Sequence, residues 1–159
     1  MEQEITRLVT GLGTALTKRG WFLATAESCT GGLIACTLTD VPGSSQWYAG
    51  TVVAYANHVK EDLLGVPGAI LGQYGAVSRE TVLAMAQGAA RRFNVQCAVA
   101  VSGVAGPGGG SAEKPVGTVW IAWSVDARPS AERFFFQGDR LSVKRQSAHT
   151  ALAGLLDKL

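Results

Sequence analysis

Ser28, Tyr55 and Lys60 are the side chains best placed to break a bond, and two glycine-rich loops are best placed to hold what is broken. TAESCTGG (residues 25–32) and SGVAGPGGG (residues 102–110) each follow an apolar run that reads as a buried strand. Glycine lets a backbone approach a ligand closely, and amides at a helix start bind negative charge. Two such loops in so short a chain point to a phosphate-bearing small molecule. Between them, YANHVK (residues 55–60) supplies a candidate base.

Ser28 falls where the first strand gives way to a helix. A hydroxyl there suits a nucleophile, with amides near Thr30, Gly31 and Gly32 to hold a developing oxyanion. The same position also fits a helix cap made by Ser28 or Thr30. Ser44 and Ser45, in PGSS (residues 42–45), are further hydroxyls that bind ligand or cap a turn. The segment around Ser28 is not the GxSxG elbow of α/β hydrolases.

Lys60 lies at about the third position of a short helix if Asn57 is its cap. A cation is disfavoured there by the helix dipole, and burial would lower its pKa further. A neutral lysine serves as general base for a serine, whereas a solvated surface lysine would have no such role. Tyr55 relays a proton, stacks on a ring or simply packs on the sheet. The two histidines, His58 and His149, sit in neighbourhoods that suggest no Ser–His–Asp triad. Cys29 is either activated at the helix start or a buried structural thiol.

Loop 102–110 lacks the GK[ST] ending of a Walker A motif and the helix that follows GxGxxG, which excludes an NTPase reading. Its amides form an anion nest or the tip of a hairpin. Arg140 and Arg145, early in the last helix, are candidates to clamp a phosphate or carboxylate.

The elements that must position these groups follow from periodicity. Ile5, Leu8, Val9, Leu12 and Leu16 mark a first helix that Gly20 can end. Strands are expected at 21–25, 51–55, 97–101, 117–125 and 132–137. Helices are expected at 31–38, from Asn57 through Leu64, after Ser78 and over the C-terminal segment. Helices separate the first three strands, which argues for parallel pairing. The last three are joined by loops, which argues for hairpins. The expected fold is α/β, a three-layer α/β/α sandwich on a mixed sheet of about five strands, formed by residues 1–159 as one domain.

Composition bounds the function. Of 159 residues, 47% are hydrophobic and 16% charged, which points to a well-covered core or a homo-oligomer interface. A net charge of +2 gives no ground for nucleic-acid binding. No apolar run is long enough for a bilayer, and the charged N-terminus is not a secretory signal. The three cysteines, odd in number and without metal spacing, fit reduced thiols in a cytoplasmic protein. No metal or other cofactor is expected.

Taken in order, AESCTGGLIA, LTDVPGSS, YANHVK, GAVSRETVLAMAQGA, SGVAGPGGG, EKPVGTVW and GDR closely resemble the CinA C-terminal family. The resemblance runs unbroken from about Thr25 to Arg145. It implies hydrolysis of the carboxamide of nicotinamide mononucleotide (NMN), giving nicotinate mononucleotide and ammonia in NAD salvage. It also implies a metal-free Ser–Lys mechanism and the sandwich described above. Carried over by motif, the nucleophile is Ser28, with Ser44 or Ser45 as alternatives. Tyr55 and Lys60 come from YxNxxK, and Ser102, Gly103 and Gly106 from the second loop. Two departures stand out: Gly108 where aspartate is common, and Ala56 where serine is common. The resemblance fits a stand-alone deamidase. The competing class is a non-catalytic nucleotide-binding or regulatory module linked to competence or DNA damage.

Overall fold

The structure, a computed structural model, describes residues 2–159. In chain order the elements are α1 (Glu2–Arg19), β1 (Leu23–Glu27), α2 (Leu33–Thr39), β2 (Tyr48–Val53), α3 (Asn57–Leu64), α4 (Gly68–Tyr74), α5 (Arg79–Phe93), β3 (Cys97–Gly103), β4 (Thr118–Val125), β5 (Arg128–Phe135) and α6 (Arg140–Lys158). The five strands form one sheet in the order β2-β1-β3-β4-β5. β1 runs parallel to both β2 and β3, and the β3–β4 and β4–β5 pairs are antiparallel. The expected mixed five-stranded sandwich is the one observed. Among the described residues, no helix is long and apolar enough to cross a membrane.

Strand alternation divides the core in two. Leu23, Val99, Val101, Ile121 and Trp123 face α1, α2 and α6, meeting Leu12, Ile34, Leu152 and Leu155. The opposite positions, Ala26, Ala98, Ala100 and Ala122, face α3 and α5 through Leu64, Val82, Met85 and Ala86. Four alanines on that face let α5 lie close to the sheet, a consequence of side chains alternating across a strand.

Several boundaries differ from expectation for identifiable reasons. β1 starts two residues later than expected, because Trp21 returns its amide to Leu16 at the end of α1. β2 is shifted back to begin at Tyr48, whose hydroxyl shares a 2.7 Å hydrogen bond with Thr25 of β1. α2 begins at Leu33 because Gly31 and Gly32 are both left-handed, with φ of 61° and 98°. β5 begins at Arg128 rather than Glu132. Pro129 is accommodated because β5 is an edge strand. α4 was not expected; it follows Pro67 and buries none of its residues.

Gly88 controls how closely α5 approaches α3, which carries Lys60. A Cβ there would stand on the Leu64 carbonyl oxygen, well inside contact distance. In an exposed helix, Gly→Ala gains up to about 1 kcal/mol, whereas overpacking costs about 1–3 kcal/mol. The clash is with backbone, which cannot swing aside, so it decides the sign. Gly88→Ala is expected to lower stability by about 2 kcal/mol in urea denaturation. A variant at least as stable as the parent would show that α3 can retreat freely.

Candidate active site

The nucleophile position is built by the sheet. Ser28 continues the β1–β3 ladder, donating its amide to Val101 O at 2.9 Å. Glu27 pairs with Val101, so Ser28 lies beside Ser102 at the ends of adjacent parallel strands. By alternation both face the α3–α5 side, in line with Ala26 and Ala100. The chain then turns back, with Gly31 N–H donating to Ser28 O at 3.1 Å.

Lys60 enters from α3 and is 1% exposed. Its Nζ lies 3.1 Å from Ser28 Oγ, 2.7 Å from Ala54 O and 3.1 Å from Tyr55 O. Among the described residues no carboxylate lies within 4.0 Å of it; the one such contact of a basic side chain with a carboxylate is His149–Glu4, at 3.8 Å. Burial therefore pushes its pKa below the ordinary lysine value. As an ammonium, Nζ donates to all three oxygens. As a neutral amine, it donates to the two carbonyls and turns its lone pair to the Ser28 hydroxyl, which then donates. That second arrangement is what a general base requires.

A cleft of about 300 Å³ opens beside this pair, lined by Ser28, Tyr55, Gly103, Gly106, Gly109 and Arg140 among others. Tyr55 is 61% exposed. Its hydroxyl accepts a 3.0 Å hydrogen bond from Arg140 and makes none with Ser28 or Lys60. Its contribution to the pair is its main-chain oxygen. Arg140 also donates to Gly106 O at 2.7 Å, bridging the two sides of the cleft mouth.

Other candidates are placed differently. Ser44 and Ser45 precede β2, whose Tyr48 pairs with Leu23 at the opposite end of β1 from Ser28. Strand rise puts that end roughly 15 Å away, so neither serine joins the site. Asn57 is the exposed first residue of α3; Ala56 holds the cap position and makes no side-chain cap. Neither Ser28 nor Thr30 caps α2: the cap position is Gly32, and the Thr30 hydroxyl donates to Glu27 at 2.7 Å. Arg145 is exposed and does not line the cleft. Lys144 does not line it either, but it reaches the turn after Ser28: a Cβ on Gly31 would stand 3.6 Å from its Nζ. The Cys29 thiol is buried, which pushes its pKa up to about 12 and keeps it from acting as a thiolate. Among the described residues, no group of three or more His, Cys, Asp or Glu could hold a metal ion.

Two groups escaped sequence reasoning. Glu27 is a carboxylate at the end of a wholly buried strand, next to Ser28. Lys144 lies one helical turn after Arg140, so the spacing favours it over Arg145 as the second cation on that face. The carbonyls of Ala54 and Tyr55 carry no sequence signal, because every residue has one.

A family profile described as the CinA C-terminal domain matches residues 5–159. The chain is 53% identical over 152 residues to the nicotinamide-nucleotide amidohydrolase PncC of Pseudomonas putida, covering 96% of this chain and 95% of that one. It is 48% identical over 148 residues to the nicotinamide-nucleotide amidohydrolase PncC of Enterobacter agglomerans, covering 92% and 90%. The crystal structure of the competence/damage inducible protein CihA from Agrobacterium tumefaciens matches with a TM-score of 0.93 at 43% identity, covering 96% and 94%. The profile, the relatives and the fold agree: this chain belongs to the CinA C-terminal domain family.

Proposed function

We propose that this chain is an amidohydrolase that converts NMN to nicotinate mononucleotide and ammonia, with Ser28 as nucleophile and Lys60 as its general base. The observation that carries the chemistry is the buried, uncompensated Lys60 amine 3.1 Å from the Ser28 hydroxyl. The substrate rests on what relatives 53% and 48% identical are called. A module that only bound nucleotides would have no use for a lysine kept from solvent and from carboxylates.

Ser28 Oγ attacks the carboxamide carbon while its proton passes to Lys60 Nζ. The negative charge gathers on the carboxamide oxygen, near the turn after Ser28. There the amides of Thr30 and Gly32 have no main-chain partner, whereas that of Gly31 is committed to Ser28 O. Lys60 returns its proton to the leaving nitrogen, the C–N bond breaks, and ammonia departs. Water then attacks the Ser28 ester, giving its proton to Lys60, and the carboxylic acid leaves as Ser28 is reprotonated.

Around this centre, the Tyr55 ring stacks on the pyridine. Ser102, Gly103 and Gly106 line the ribose side. Arg140 and Lys144 hold the phosphate. The product belongs to pyridine nucleotide salvage.

Three outcomes test the reading. Ser28→Ala is expected to release ammonia from NMN about a thousandfold more slowly while remaining folded; near-normal turnover would remove Ser28 from the role.

Because burial lowers the Lys60 pKa, its neutral fraction grows with pH from below the ordinary lysine range. kcat/KM should therefore rise with pH along a limb that Lys60 governs. Lys60→Met and Lys60→Arg should both be nearly inactive, since methionine has no base and guanidinium stays protonated. A folded Lys60→Arg enzyme with near-parental kcat would reduce Lys60 to an electrostatic role.

Finally, NMN should exceed nicotinamide riboside in kcat/KM by about a hundredfold or more, because charge-assisted phosphate contacts are strong. Lys144→Met should erode that preference more than Arg145→Met. Equal efficiency on the two substrates would remove phosphate recognition.

A further inference from the structure

Glu27 is fully buried and, among the described residues, lies within no ion pair. Its Oε1 accepts from the Thr30 hydroxyl at 2.7 Å and from Ile34 N–H at 2.9 Å. Its Oε2 accepts from Ala35 N–H at 2.9 Å and, more weakly, from the Thr51 hydroxyl at 3.4 Å. A buried carboxylate is costly unless such donors surround it. These donors come from the turn after Ser28, the first helical turn of α2 and strand β2. The carboxylate thus supplies the cap that α2 otherwise lacks.

The main chain of the same residue reaches the other half of the pair. Glu27 O accepts from Ala54 N–H at 2.8 Å, and Ala54 O in turn accepts from Lys60 Nζ. Through its side chain Glu27 holds the turn that carries Ser28. Through its backbone it holds the carbonyl that anchors Lys60. Its side chain points to the face of β1 opposite Ser28, so it does not line the cleft.

We propose that Glu27 is a positioning residue, whose carboxylate locks the 28–32 turn so that Ser28 Oγ meets Lys60 Nζ in hydrogen-bonding geometry. This rests on the Ser28–Lys60 reading above. A displacement of about 1 Å from such geometry can cost about a hundredfold in rate. Glutamine at this position keeps the shape but turns one oxygen into an NH2, which in either orientation sets a donor against an α2 amide, Ile34 N–H or Ala35 N–H.

Glu27→Gln should remain folded. Its kcat for ammonia release from NMN should fall by at least about tenfold while KM changes by less than about threefold, since Glu27 itself does not line the cleft and Tyr55, Arg140 and the 103–109 loop stay in place. A crystal structure of the variant should show Ser28 Oγ and Lys60 Nζ beyond hydrogen-bonding distance. Thr30→Val, which removes one donor to the carboxylate, should lower kcat in the same direction by less. A folded Glu27→Gln enzyme with kcat within twofold of the parent, or with the Ser28–Lys60 contact intact, would overturn the proposal. If Glu27→Gln does not fold, an unchanged kcat in folded Thr30→Val would overturn it. Should the parent release no ammonia from NMN while the Ser28–Lys60 contact still breaks in Glu27→Gln, the substrate reading fails and the positioning role stands.

Discussion

An amine with no counter-charge, held out of water by two carbonyls and one hydroxyl, is the constraint on which the rest of this structure turns. Lys60 is among the largest fully buried side chains of the chain. Burying a charge without a partner is unfavourable, which lowers the lysine pKa and favours the neutral amine, the form a general base needs. The two carbonyls matter as much as the burial. In the neutral form they would take the two hydrogens of the amine and leave its lone pair toward Ser28.

Each layer of the fold serves that arrangement. Parallel pairing of β1 with β2 and β3 brings the ends of three strands to one edge of the sheet, and with them Ser28, Ser102 and the Ala54–Tyr55 carbonyls. The alanine face of the sheet and Gly88 let α5 and α3 pack close, which carries Lys60 inward. Two consecutive left-handed glycines delay the start of α2, so the chain after Ser28 forms a turn with free amides rather than a closed helix. Arg140 then bridges Tyr55 and Gly106 across the cleft.

The long helices and the mixed sheet were legible because their apolar residues keep strict periods, as in α1 with Leu12 and Leu16 and in β3 with Val99 and Val101. Boundaries were less legible where one residue type pointed away from the outcome. Pro129 masked the start of an edge strand, and glycines masked α4. Ser28 and Lys60, singled out by type and position, do meet in the structure, but not for the local reasons the sequence offered. Asn57 is not the cap, so Lys60 is the fourth residue of α3. The burial of Lys60 depends on tertiary packing that NHVKEDLL does not advertise. Ser44 and Ser45 were misplaced although the means of placing them was present. If β2 is parallel to β1, residues before β2 must lie at the start of β1, away from Ser28.

The central claim concerns one proton, and NMR titration of the Lys60 side chain in the unliganded enzyme, with Lys60→Met to assign the signal, reads it directly. The account predicts that the Lys60 amine titrates below the ordinary lysine value of 10.5 and that this titration coincides with the rising limb of kcat/KM. A Lys60 that titrates at or above 10.5, in an enzyme already fully active at neutral pH, would contradict it.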